Sequence, residues 1–277
     1  MECLVYKDAS VVGFVLATLM ATGIFLSYVP QHSRIMKRRT SEGLSPFFLL
    51  LGTVSAISAF ANLLLYSNDG RICCRLGLSD FQCINSQIGM IQVGLQTLGY
   101  SLILVLCVYY TRDSLTENQR EYAQLLKVYR FFLFYAFLNL FVVVYLIKRK
   151  QDTEIFVQFA NLSGVFSSLV GGFQYLPQIY TTYKLKHPGS LSIKMMSIQT
   201  PGGFVWTASL FLQPNSKWSS WLPYFTAAMA QGILLIMCIY YKHTYNIDEL
   251  EREQLARITE ENLAYTSLET TDDGLLQ

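Results

Sequence analysis

Seven stretches of the chain contain no Asp, Glu, Lys or Arg: 9–33, 43–68, 81–111, 131–147, 155–183, 195–216 and 218–241. A helix needs about 20 apolar residues to cross a bilayer, with about 17 near the lower limit. Six of the stretches meet that length comfortably, and the fourth, "FFLFYAFLNLFVVVYLI", is short but strongly apolar. Lipid offers backbone groups no partner, so runs of this kind fold as helices. The pattern predicts an all-α membrane protein with seven transmembrane helices. A soluble helical core would rarely repeat such runs seven times.

Composition agrees with the pattern. Of the 277 residues 52% are hydrophobic and 14% charged, against about one quarter charged in ordinary soluble domains. The start, "MECLVYKDAS", has neither the basic region nor the cleavage site of a signal peptide, so the first span is expected to direct insertion itself. Lys and Arg set the orientation. With the N-terminus outside, the inner side holds Arg34, Lys37, Arg38, Arg39, Arg112, Arg120, Lys127, Arg130, Lys184, Lys186, Lys194 and Lys242. The outer side holds the smaller set Lys7, Arg71, Arg75, Lys148, Arg149, Lys150 and Lys217. This predicts a lumenal or external N-terminus and a cytosolic C-terminus. A net charge of +2 is too small to suggest nucleic acid as a partner.

The hydrophobic pattern also repeats. A shift of 147 residues aligns Tyr28, Pro30, Gln31 and Lys37 with Tyr175, Pro177, Gln178 and Lys184, and "LS" at 44–45 with "LS" at 191–192. Thr53, Ala61, Leu63, Leu65 and Asn68 fall on identical residues too. A shift of 131 aligns "CVYY" at 107–110 with "CIYY" at 238–241. Spans 1–3 therefore echo spans 5–7, and the difference between the shifts places an insertion in the first half, in the segment with Cys73, Cys74 and Cys83. Two three-helix units share one orientation only if an odd number of spans joins them, which is the role of the fourth. The expected organisation is a first repeat at 9–111 with an inserted lumenal cysteine loop at 69–86. A linker at 112–154 follows, with helix 131–147, then a second repeat at 155–241 and a cytosolic tail at 242–277.

Proline removes a backbone donor and clashes with the carbonyl four residues earlier, freeing carbonyls near Leu26 and Phe173. Gln31 and Gln178 each bring an amide that can both donate and accept. The expectation is a pair of hinges, Pro30-Gln31 and Pro177-Gln178, at which the glutamine re-satisfies its own helix. A single Pro-Gln would read as a helix stop; two in matching places read as a device.

Tyr-Val-Pro-Gln followed by a basic segment and "GLS", repeated as Tyr-Leu-Pro-Gln and "SLS", resembles the PQ-loop repeat family. That family includes lysosomal cystine and cationic amino-acid exporters, and its fold is related to the sugar-transporting SWEET proteins. "TPGGFVWTASLFLQ" at 200–213 resembles the sixth helix of the cystine exporter group. The resemblance implies two parallel three-helix repeats joined by a linker helix, and an alternating-access carrier for a small-molecule substrate.

Polar groups within spans are costly and tend to face the bundle interior. Gln92, Gln96 and Tyr100 recur at four-residue spacing, and Gln231 matches Tyr100 in the shift of 131. Asn62 matches Ser209 in the shift of 147, with Trp206 one turn earlier. These seven are the candidate substrate path, with helix-to-helix hydrogen bonding as the competing use. Gly171-Gly172 and Gly202-Gly203 are expected to permit close packing or bending. No Asp or Glu lies in any of the seven stretches, so the proton relay of proton-coupled relatives has no carrier here. His32 and His187 are expected exposed in cytosolic loops.

Cys3, Cys73, Cys74 and Cys83 fall on the oxidising side and can pair, in an order the spacing leaves open. No metal, cofactor or enzymatic centre is expected. Tyr265 with Leu268, and Asp272 with Leu275 and Leu276, have the form of tyrosine and acidic dileucine sorting signals, implying sorting adaptors as partners. Membrane lipid is the remaining one. The function expected is a carrier for a small organic solute, foremost an amino acid, in a vacuolar or lysosomal membrane. A receptor or scaffold of the same fold, a sugar facilitator and a lipid-moving protein are the alternatives.

Overall fold

The computed structural model describes residues 3–7, 10–112, 119–149, 153–211 and 218–244. Among them every regular element is helical. A 3-10 turn at Cys3–Tyr6 leads to α1 (Val11–Arg38), α2 (Pro46–Tyr66), the short α3 (Asn68–Arg75) and α4 (Asp80–Thr111). There follow α5 (Gln119–Arg149), α6 (Thr153–Phe173), α7 (Tyr175–Leu185), α8 (Ile193–Phe211) and α9 (Trp218–Thr244).

Six segments are long and apolar enough to cross a membrane: Val11–Arg38, Pro46–Arg75, Asp80–Thr111, Glu121–Arg149, Glu154–Leu185 and Tyr224–Thr244. The sixth expected span, α8, is 19 residues long but is diluted by Lys194, Gln199, Thr200 and the Pro-Gly-Gly of 201–203. Three boundaries differ from expectation. The fourth span is the apolar part of a 31-residue helix. The fifth divides at Gln174 into α6 and α7. The inserted segment is largely helix, because α3 and the start of α4 occupy it.

Within each repeat the third helix lies between the other two. α4 packs against α1 and α2, and α9 packs against α6, α7 and α8. α5 lies against α2 and α4, and its outward face, with Phe134, Phe137, Leu140 and Phe141, is exposed as a lipid-facing surface requires. Two seams join the repeats, α2 against α6 and α1 against α8. Buried Ile35, Leu49, Leu104 and Leu234 fill the space between them.

The identities of the repeat reappear as matching local geometry. α1 ends on Arg39 and α7 on Lys186, both left-handed at φ 50° and φ 59°. The two "LS" serines are helix caps: Ser45 Oγ accepts from Phe48 N at 3.5 Å and Ser192 Oγ from Met195 N at 3.2 Å, satisfying orphan donors of the first turn. At the opposite end Cys3 pairs with Cys73 and Cys74 with Cys83. The first bridge ties the N-terminal turn to α3, and Gln82 Nε2 adds a bond to Lys7 O at 3.0 Å. Cys107 and Cys238 are buried and form no disulfide.

Candidate functional site

The two Pro-Gln glutamines are buried, and the backbone groups they bond belong to the other repeat; within its own helix Gln178 Nε2 also reaches Thr182 Oγ1 at 3.3 Å. Gln31 Nε2 donates to Ser190 O at 2.8 Å, and Gln31 Oε1 accepts from Ser192 N at 2.6 Å. Gln178 Nε2 donates to Gly43 O at 2.6 Å, and Gln178 Oε1 accepts from Ser45 N at 2.9 Å. The backbone partners of one glutamine are those of the other shifted by 147 residues. Each repeat thus grips the connecting loop of the other repeat. This corrects the expectation that the glutamine mends its own helix: an amide with two faces suits a loop offering one carbonyl and one N–H, whereas a helix interior offers only carbonyls.

The two loops also touch. Gly43 and Gly189 have φ 84° and 53°, and a Cβ on Gly43 would lie 2.7 Å from Gly189 Cα, so both the backbone twist and the contact call for glycine. Ser190 N donates to Glu42 O at 2.6 Å, and Ser190 Oγ to Thr40 O at 2.6 Å. Arg34 donates to Gly189 O through Nε at 3.0 Å and Nη2 at 2.7 Å. Glu42 pairs with Arg38 at 3.4 Å and faces His187 Nε2 at 3.7 Å. This basic end of the bundle is closed.

Behind the closed end lies a cavity of about 20 Å³ between the repeats, room for about one water. Phe48, Tyr100, Tyr175, Gln199 and Gln231 line it together with Gln31, and among the described residues that line it none is charged. Phe48 packs between Tyr100 and Tyr175, with ring centroids 5.9 and 5.7 Å away. The Tyr100 hydroxyl is buried and has no hydrogen-bond partner, a costly state in a low-dielectric interior. Gln231 Nε2 donates to Gln199 Oε1 at 3.0 Å, and Gln199 Nε2 to Ser27 Oγ at 2.9 Å.

Of the expected path, Tyr100 and Gln231 meet at this cavity. The others do not. Gln92 Nε2 bonds Ala17 O at 2.8 Å, joining α4 to α1, and Asn62 Nδ2 bonds Ala160 O at 2.6 Å, joining α2 to α6. Gln96 is exposed, although it lies between the buried Gln92 and Tyr100 on the same helix face. Trp206 packs edge-on against Tyr224 at 6.4 Å, and the Ser209 side chain lies outside the described residues. His32 is half-buried within α1, its Nε2 3.0 Å from Gly99 O, and is no loop residue. Gly171 and Gly203 do pack closely, against Ser55 and Ala228, while Gly172 and Gly202 have nothing within 4 Å. The sorting residues Tyr265, Leu268, Asp272, Leu275 and Leu276 lie outside the described residues. Gln199 and Tyr175 were missed; the shift of 147 pairs Gln199 with Gly52 and so drew no attention to it.

The PQ loop repeat family profile matches the chain twice, over residues 12–71 and 159–219. An uncharacterized protein of Schizosaccharomyces pombe is 30% identical across 91% of this chain and 88% of that one. The chain belongs to the PQ-loop repeat family. No solved structure matches it. The first matched segment begins in α1 and the second in α6, and both run through the Pro-Gln motif and past the loop that follows, so the family's repeat is the unit that exchanges glutamine bonds here.

Proposed function

We propose that this PQ-loop protein is an alternating-access carrier for a small organic solute, with an amino acid the first class to test. The observation that carries the reading is the reciprocal glutamine latch closing one end of the bundle over an uncharged, largely apolar cavity lined in part by Gln199, Gln231 and Tyr100, whose hydroxyl is unpartnered. A latch built from two equivalent pairs of bonds between two repeats can release as a unit, and the orphan hydroxyl offers a donor to a ligand. Movement is facilitated diffusion, because the Asp and Glu of the membrane helices stand at their ends: Asp80, Glu121 and Glu154. Transport makes and breaks no covalent bond, and no cofactor enters.

The cysteine end faces an oxidising lumen or the exterior, where disulfides persist, and the basic end faces the cytosol. The sorting patterns of the tail support a vacuolar or lysosomal address. Reconstitution into liposomes, with labelled amino acids and sugars offered with and without a pH gradient, tests the carrier. Uptake that is saturable and indifferent to the gradient is expected. No uptake of any solute, together with stable capture of a protein partner, would replace it with the receptor or scaffold reading.

A further inference from the structure

The two seams between the repeats are related by the same internal symmetry, yet they are built differently. Along α2 and α6, Ser55 Oγ donates to Ser167 O and Ser167 Oγ to Ser55 O, both at 2.8 Å. Further along, Asn62 bonds Ala160 O, and Tyr66 Oη donates to Asn161 Oδ1 at 2.6 Å. Gly164 and Gly171 bring the helices together: a Cβ on either would lie 3.0 Å from Asn62 Nδ2 or Ser55 Oγ. Shifted by 147, these positions on α1 and α8 become Gly202 for Ser55, Met20 for Ser167 and Gly13 for Ala160. Between α1 and α8, Gln199 Nε2 donates to Ser27 Oγ at 2.9 Å. One turn further from the basic end, Gly202 has nothing within 4 Å.

Gln199 stands where the first repeat has Gly52. There the Tyr100 ring fills the space a side chain would take, its hydroxyl 2.6 Å from where a Gly52 Cβ would be. In the second repeat the smaller Gln231 replaces Tyr100 and leaves room for the Gln199 amide, which reaches across to α1. α1 is tied to α4 by the bond from Gln92 to Ala17 and by Tyr28 packed on Gly99. We propose that Gln199 is the positioning residue of a one-sided gate: its bond to Ser27 closes the α1–α8 seam, which parts when the repeats separate while the α2–α6 seam stays shut as the fixed edge. Release frees the Gln199 amide at the cavity, beside Gln231.

The inference deepens the carrier reading and rests on it, but its test needs no solute. Spin labels are placed on the full chain in liposomes, at Met36→Cys with Lys194→Cys across α1–α8, and at Phe47→Cys with Leu176→Cys across α2–α7. Cys107→Ala and Cys238→Ala remove the two thiols outside the disulfides. Gln199→Leu is expected to lengthen and broaden the distance distribution across α1–α8 and leave the α2–α7 distribution unchanged. Ser27→Ala breaks the same bond from the other side, leaves Gln199 with Gln231, and is expected to give the same shift should Gln199→Leu fold poorly. Equal lengthening across both pairs, or no change across α1–α8 in the folded variants, overturns the proposal. Distances that shift as expected in a protein that moves nothing in vesicles would leave the gate standing and remove the carrier.

Discussion

α1 and the α6–α7 pair carry the same Tyr-X-Pro-Gln motif and respond to it differently. α1 runs unbroken from Val11 to Arg38 with Pro30 inside it, whereas its counterpart divides at Gln174, three residues before Pro177. Proline is common to both, so it is not sufficient to break the helix. The residues that differ lie just before it. The second repeat has Gly171 and Gly172 where the first has Ile24 and Phe25, and each glycine weakens a helix by about 1 kcal/mol relative to alanine. Gly171 is there because Ser55 of α2 lies against it. Tight packing at one seam is thus bought with helix continuity in the same element, and the expected pair of equivalent hinges becomes one break and one straight rod.

The sharpest test of this inequality concerns the strap found in the first repeat. Cys3→Ser removes a bridge closing 70 residues and is expected to lower stability by up to about 4 kcal/mol, read as a fall in melting temperature in detergent. An unchanged melt would mean that packing alone holds the cysteine end. Next in size is the latch. Gln178→Leu leaves Ser45 N–H and Gly43 C=O without their partner, and Gln31→Leu does the same to Ser192 N–H and Ser190 C=O. Each orphaned group costs about 1 to 3 kcal/mol. Amide exchange should accelerate at Ser45 in one variant and at Ser192 in the other; acceleration in only one would show that the latch works from a single side.

A smaller effect, about 1 kcal/mol of helix propensity, is expected from Gly171→Ala. The added methyl should slow exchange at Tyr175 as the α6–α7 break closes, while crowding Ser55. A break that persists would assign it to Pro177 alone. Smallest in stability is the proline pair. Pro177→Ala restores the missing donor opposite Phe173 O and should slow turnover more than it weakens binding, whereas Pro30→Ala should change little in a helix already continuous. Equal losses of turnover in both variants would restore the symmetric pair of hinges.

Much of the architecture was legible because lipid leaves few options. Charge-free runs of helical length, the two shifts of 147 and 131, and the odd linker span led to an all-helical bundle of two parallel repeats. The site was less legible. Tyr100 and Gln231 were found because the shift of 131 puts two polar groups at equal depth. Gln92 and Asn62 looked the same in the sequence, yet they bond neighbouring helices, since a polar residue in a span satisfies itself with whichever carbonyl is nearest. Gln199 was overlooked because its counterpart is a glycine; only the Tyr100 ring over Gly52 explains why the two positions differ.

The sequence by itself determined the spans, the internal repeat and the family, because bilayer thickness and backbone hydrogen bonding constrain those strongly. It also placed the two glutamines at equivalent points. Only the tertiary structure decided what they hold. A repeat pattern is silent on whether an amide bonds its own repeat or the other, and the choice depends on loops more than 130 residues away in the chain, whose backbone groups meet Gln31 and Gln178 once the two bundles are side by side.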